Sequence, residues 1–316
     1  MQHFEGAATL IKQRNGKPTA SELFKGLLIG VRSAIVRISE RYQLQPANTS
    51  QVSRAIATST FIDVNSELWQ DAPESLLHNP ATLLDRMYVD VANLLATVDR
   101  TPADIIDCTP GEPHRATRSS DLAHRAELVD ARLATWPDLL SPNWNPVQVL
   151  ASAIPWDVVN AGLYGDSCDV YSDIIICGTW NDWRHVRLKV LALIARLGNN
   201  DSKARAILSI QQLADDICAS IPFSLGSRVK PSTIYAADST YPSVDGQRVP
   251  EAHQQRAAAA GGWLLFSPLK EVWHVGIYLR KGQLDWVSGQ LLRLATIYNI
   301  RPILDKFPVH RRCQDL

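Results

Sequence analysis

Residues 121–136 read DLAHRAELVDARLATW, and residues 168–197 read CDVYSDIIICGTWNDWRHVRLKVLALIARL. In the first stretch Leu122, Ala126, Val129, Leu133 and Trp136 recur at intervals of four, three, four and three. That spacing lays one apolar stripe along a helix. Ser119, Ser120 and Asp121 offer N-caps for it, and Pro137 ends it. The second stretch predicts a long helix over about 168–197. Asp166 and Ser167 stand ready to cap it, and Gly198-Asn199-Asn200 ends it with a glycine suited to a left-handed C-cap.

Working outward, the helical period persists. A helix over about 201–220 is capped by Asp201 or Ser202 and stops before Pro222. Segments 3–13, 21–42, 48–69 and 80–98 carry the same periodicity, with an Asn15-Gly16 turn and breaks at Pro46, Pro73 and Pro102. Segments 251–266, 268–280 and 283–299 read as three more helices, although VWHVGIYL at 272–279 would also suit a strand. Proline and glycine mark 99–120 as a loop, where a sub-division of the chain would fall, and 226–250 as a mobile loop. No internal repeat and no alternation of strand and helix periods is present. The expectation is an all-α, irregular multi-helix architecture in a single helical domain over 1–316, without the short loops of an up-down bundle.

Charge and cysteine usage narrow the function. Lys plus Arg (32) equals Asp plus Glu (32), giving zero formal charge. Phosphate neutralisation supplies most of the affinity of a nucleic-acid binder, so a balanced chain argues against direct DNA binding. The five cysteines, Cys108, Cys168, Cys177, Cys218 and Cys313, contain no CxxC spacing. A binuclear zinc cluster needs six thiolates at such spacing, so this stretch of chain cannot build one. Scattered and odd in number, the cysteines predict reduced, buried thiols in an intracellular protein. The apolar runs fall short of the ~20 residues of a membrane span, so the expectation is a soluble, cytoplasmic protein with no membrane partner.

Several stretches, taken in order, resemble one family. They are His3-Phe4-Glu5-Gly6-Ala7-Ala8 with Leu10 and Arg14; the helix ending Leu133-Ala134-Thr135-Trp136-Pro137 with Trp144; and Tyr171 with Trp180-Asn181 and Arg184. They continue through Asp216-Ile217-Cys218-Ala219-Ser220-Ile221-Pro222-Phe223 with Leu225-Gly226, through Gly261-Gly262-Trp263-Leu264-Leu265-Phe266-Ser267-Pro268-Leu269, and through Trp286, Leu291, Leu292, Ile297 and Asn299-Ile300. Their order is similar to the regulatory (middle homology) domain of fungal zinc-cluster transcription factors. Asn299 stands where that family has glycine, a mild departure, because asparagine also tolerates the left-handed conformation. The resemblance implies a helical regulatory fold, and for a regulator a nuclear location. The family's zinc ligands have no counterpart here. Its His-x-x-Gly-Ala element falls at the start of this sequence, so the expectation is either the C-terminal part of a regulator or a headless, stand-alone descendant.

Catalytic motifs are sparse. Gly261-Gly262 lacks the following Lys-Ser/Thr of a phosphate loop, and neither a His-Glu-x-x-His nor a Gly-x-Ser-x-Gly motif occurs. Asp215-Asp216 lacks a third carboxylate at helical spacing. The expectation is no metal and no cofactor. What stands out is a cluster of aromatic rings and imidazoles. Tyr171, Trp180, Trp183, Arg184 and His185 fall on the predicted long helix, with Trp180 and Arg184 at i,i+4 and Trp183 about 60° round from Trp180. Trp273, His274 and Tyr278 form a second group, again with an i,i+4 pair. Indole and phenol rings supply apolar area plus one donor each. They can wall a pocket for an apolar ligand, although tryptophans in helical proteins mostly fill cores. Arg184 is a carboxylate clamp or a structural partner of Asp130 or Asp173. His310-Arg311-Arg312 reads as a solvated end.

Two functions follow as expectations. The first is a cofactor-independent cyclase or pericyclase of fungal secondary metabolism, acting on an apolar substrate by intramolecular cycloaddition. Tyr171, Trp180, Trp183 and Trp273 would bind the substrate, and His274, Arg184 and Tyr278 would supply the catalytic donors. Pose and one strengthening hydrogen bond would contribute roughly 3–5 kcal/mol, an acceleration on the order of 10²–10⁴-fold. The alternative is a headless zinc-cluster-type regulator, or its ligand-sensing or partner-binding fragment, without enzymatic activity. Its partners would be an apolar small molecule, a second copy, or a zinc-cluster regulator as heterodimer partner.

Overall fold

The computed structural model describes residues 56, 80–101, 113–150, 152, 163–225 and 256–297. The chain divides into two compact units, Met1–Arg125 and Ala126–Leu316. The predicted helices at 3–13 and 21–42, the loop at 226–250 and the basic end at 310–312 lie outside the described residues, as does the 48–69 helix apart from the buried helical Ile56.

In the first unit, α1 spans Pro80–Asp99, as the 80–98 periodicity predicts. Its first residue is a proline, whose fixed φ suits a helix start. Leu84, Met87, Tyr88, Val91 and Leu94 are buried from it. α2 spans Pro113–Ala134, and the unit boundary falls within it. This corrects two expectations. Residues 113–120 are helical rather than loop, and Ser119, Ser120 and Asp121 sit inside the helix rather than at its cap. Pro113 punctuates the sequence like a loop residue but also serves as a first helical residue, so its sequence signal is double-edged. The predicted stripe holds at four of its five positions: Leu122, Ala126, Leu133 and the following Trp136 are buried, and Val129 is half-buried.

In the second unit, 3-10 turns at Trp136–Leu139 and Pro142–Trp144 lead into a two-stranded antiparallel ribbon, absent from the sequence-based expectation. β1 (Val147–Leu150) pairs with β2 (Ser167–Val170), placing Val147 opposite Val170 and Leu150 opposite Ser167. The helix predicted from 168 therefore starts later. α3 runs Ile174–Leu197, and its cap is Asp173, whose carboxylate accepts from the Ile175 N–H at 2.7 Å. The sequence misleads here because Val170, Ile174 and Cys177 continue the helical spacing back into the strand.

Gly198 ends α3, but in extended backbone (φ −71°, ψ 164°) rather than the left-handed region. Glycine fits there for space: a Cβ would stand 2.7 Å from the Ile194 carbonyl oxygen and 3.1 Å from Ser202 Cβ. α4 spans Asn200–Ala219, capped by Asn199, whose side chain accepts from the Ser202 N–H at 2.9 Å. Asp201 and Ser202 are thus inside the helix. A short α5, Ile221–Leu225, follows directly.

A π turn at Ala257–Gly261 opens α6, Gly262–His274. A Cβ on Gly261 would overlap the Ser224 carbonyl oxygen, so the π turn lies with its backbone against α5. α6 passes straight through Pro268, where the sequence predicts a break. The proline removes one ladder hydrogen bond. Burial of Leu264, Leu265, Pro268, Leu269 and Val272 on the same helix offsets that loss. The strand alternative at 272–279 is not adopted: α6 gives way to a 3-10 turn at Gly276–Tyr278, and Gly282 at φ 81° turns the chain into α7, Gln283–Ile297. α3 is buried along most of its length because α4 and α6 both pack against it. The described residues thus form an irregular, multi-helix, essentially all-α assembly with one small ribbon.

Candidate functional site

The described residues of the second unit hold one buried cation. Arg184, on α3, is 2% exposed, and a guanidinium removed from water needs acceptors on every edge. Nη1 donates to the Tyr171 hydroxyl at 2.7 Å and to Asn181 Oδ1 at 3.0 Å. Nη2 faces Asp169 Oδ2 at 3.5 Å, and Nε faces Asp216 Oδ2 at 3.9 Å. The guanidinium carbon also lies 5.2 Å from the Trp180 ring centre and 5.9 Å from that of Tyr171. Burial works against the charged form, but Tyr171, Asp216 and Asp169 outweigh it, so Arg184 stays a cation. Its expected partners are otherwise engaged. Asp130 holds Arg187, and Asp173 holds Arg256 at 2.7 Å.

Polar groups behind Arg184 extend this hub. Asn181 Nδ2 donates to Ser220 Oγ at 2.9 Å, and Cys177 Sγ lies 3.3 Å from Ser224 Oγ. Burial pushes the thiols of Cys168 and Cys177 up to about 12, and Cys218 is raised from the same cause. All three are unpaired, buried and poor nucleophiles. Cys108 and Cys313 lie outside the described residues.

The tryptophans beside the hub form a cage. Trp136 meets Trp180 edge-on at 5.1 Å and Trp183 at 5.8 Å, while Trp180 and Trp183 stand at 88° to each other. Each indole of the α3 pair spends its N–H on a backbone carbonyl. Trp180 donates to Trp144 and Trp183 to Leu133, both at 2.8 Å. Arg187 lies over the Trp183 ring at 5.4 Å.

Trp273, His274 and Tyr278 belong to a different place. Trp273 and His274 adjoin at the end of α6, their rings 5.6 Å apart, and His274 is 43% exposed. His274 Nδ1 lies 3.7 Å from Glu271 Oε2, which Lys189 Nζ from α3 also holds at 2.6 Å. Burial pushes the Glu271 carboxyl up, but His274, Lys189 and His185 together bring it down to about 2. Tyr278 is half-buried in the 3-10 turn, where its carbonyl accepts from Gln211 Nε2 at 3.1 Å. His274 and Tyr278 do not share an α-helical face, because the α-helix ends at His274.

Sequence reasoning missed Asp169 and Asp216 as partners of the central arginine. It also missed Tyr164, which stacks on Trp286 at 5.0 Å. Burial, then the Asp215 charge, raises the phenol of Tyr164. The adjacent acids on α4 serve different elements: Asp216 faces Arg184, whereas Asp215 receives Arg280 Nε and Gln283 Nε2, each at 2.9 Å. No local motif links such residues before the chain folds. Among the described residues no group of three or more His, Cys, Asp or Glu is placed to hold a metal ion, and no helix is long and apolar enough to cross a membrane.

One comparison with known proteins gives a partial match. Transcription factor dbaG of Emericella nidulans (strain FGSC A4) is 32% identical to this chain over 110 residues. The likeness is to a fungal transcription factor. It covers 33% of this chain and 26% of that protein, so the match spans about a quarter of the relative's length. No family model matches the chain, and no solved structure matches it.

Proposed function

We propose that this chain is a non-enzymatic regulatory module, related to the helical regulatory domain of fungal zinc-cluster transcription factors, that acts by binding a ligand or a protein partner. The observation that carries the reading is the 110-residue likeness to a protein named as a transcription factor. Zero formal charge supports action through a partner rather than through DNA directly. A zinc-cluster regulator bound as a heterodimer would supply the DNA-reading part, and the nucleus would be the place of action.

The side-chain geometry leans the same way. A cyclase of the kind the tryptophans suggest needs a donor aimed at an open apolar wall. Trp180 and Trp183 spend their N–H groups on backbone carbonyls, and Arg184 is surrounded by Tyr171, Asn181, Asp169 and Asp216. His274 faces Glu271 at the end of α6 instead, with Trp273 beside it.

The test pairs a genetic with a chemical measurement. Deleting the gene is expected to change transcript levels of neighbouring metabolic genes. The purified protein is expected to leave linear pathway precursors at their background cyclisation rate. Unchanged transcripts, together with an accelerated cyclisation that His274→Ala or Arg184→Ala abolishes, would overturn the regulatory reading in favour of the cyclase.

A further inference from the structure

The Arg184 hub carries one more acid than it has cations. Among the described residues, Asp169 on β2 and Asp216 on α4 both face the single guanidinium, at 3.5 and 3.9 Å. Neither separation is a hydrogen bond. The short bonds of Arg184 go to neutral groups instead, and its buried Nε makes none. With both acids ionised the hub holds an uncompensated negative charge. The two acids are not equivalent. The Asp169 side chain is 11% exposed and that of Asp216 is 31% exposed, so desolvation falls mainly on Asp169.

One neutral donor reaches Asp169: the hydroxyl of Tyr171, just after β2, donates to its Oδ2 at 3.4 Å, which eases the charge without balancing it. Cys168 on β2 and Cys177 on α3 are the remaining titratable neighbours, and burial keeps both as thiols. β1 (Val147–Leu150) and α5 (Ile221–Leu225), which also pack on β2, contain no titratable side chain. Arg256 is paired with Asp173.

We propose that Asp169 is a proton-operated latch: on taking up a proton it leaves one balanced Arg184–Asp216 pair and clamps β2 onto α3 and α4. Burial raises the Asp169 carboxyl and the Asp216 charge adds to the rise; the opposing pulls of Arg184 and of the Tyr171 hydrogen bond are weaker. A carboxyl raised by folding stabilises most below its unfolded pKa, near 3.8, and that contribution fades as pH rises through its folded value. The ribbon is therefore tighter on the acid side of the Asp169 titration than on its alkaline side. This inference stands whether or not the module is a regulator.

Two measurements on the whole chain decide it. In a carbon-13 titration of the wild type, the Asp169 carboxyl is expected to titrate above the ordinary aspartate range. Hydrogen-exchange protection factors of Cys168 and Val170 are expected to rise several-fold as pH falls through that titration. Asp169→Asn is expected to show the acid-state protection on both sides of it. Titration of Asp169 at or below 3.8 overturns the latch. So does an Asn variant that keeps the wild-type pH response. If that variant does not fold, the wild-type titration decides alone.

Discussion

Arg187 grips Asp130 with both edges of its guanidinium: Nε to Oδ1 at 2.6 Å and Nη2 to Oδ2 at 3.2 Å. The contact joins α3 to the C-terminal half of α2, and the Arg187 cation lies over Trp183. Both side chains are mostly buried, so solvent screens the pair only in part. Replacing either residue by alanine should cost about 1–3 kcal/mol, and a double-mutant cycle should return a coupling of about 1 kcal/mol. Urea unfolding of the four proteins measures both. Additive single mutants would show the clamp to be energetically silent.

Glycines 261 and 289 should respond to alanine in opposite directions. A Cβ at Gly261 collides with the backbone carbonyl of Ser224, which cannot swing aside as a side-chain end would. Gly261→Ala should cost about 3 kcal/mol or more, by prising the π turn from α5. Gly289 lies inside α7 with no atom near its would-be Cβ, so Gly289→Ala should stabilise by about 0.5–1 kcal/mol. Thermal melts of the two variants give both signs in one experiment.

Acid should loosen the α3–α6 contact. Folding lowers the Glu271 carboxyl from 4.5 to about 2, so its contribution is complete above about pH 4.5 and is lost as pH falls through about 2. The stability advantage of wild type over Glu271→Gln should shrink across that window and be constant above it. A melting-temperature series against pH for the two proteins reads it directly. This is opposite in sign to Asp169, whose proton uptake tightens the ribbon.

Thiol chemistry should report unfolding rather than function. With Cys168 and Cys177 near 12 and Cys218 also raised by burial, none supplies thiolate at neutral pH. Mass spectrometry after iodoacetamide treatment should find these three unmodified in the native protein and modified in urea. Fast native labelling of Cys177 would contradict its burial.

Much of the helical layout was legible before folding. The stripe from Leu122 to Trp136, the helix over 80–98 and the stop before Pro222 needed only apolar period and breaker residues. The misses share a cause. Cys168-Asp169-Val170 reads as helix because its apolar spacing continues into Ile174 and Cys177, but pairing with Val147–Leu150 makes it a strand. Pairing partners lie far apart in sequence, so no local pattern records them. Pro268 reads as a break, yet burial of the helix around it outweighs one lost hydrogen bond.

The candidate site divides along the same line. Composition and order of residues alone pointed to an all-α chain, to balanced charge, to a resemblance to a fungal transcription-factor domain and to the prominence of Arg184 with its neighbouring aromatic rings. Only the tertiary structure decided that Arg184 answers to Asp169 and Asp216 rather than to Asp130 or Asp173. It likewise decided that His274 belongs with Glu271 and Lys189, away from Arg184. Helical periodicity is a property of neighbours along the chain. A buried charge is compensated by whichever groups packing brings within a few ångströms, and that is a property of the fold.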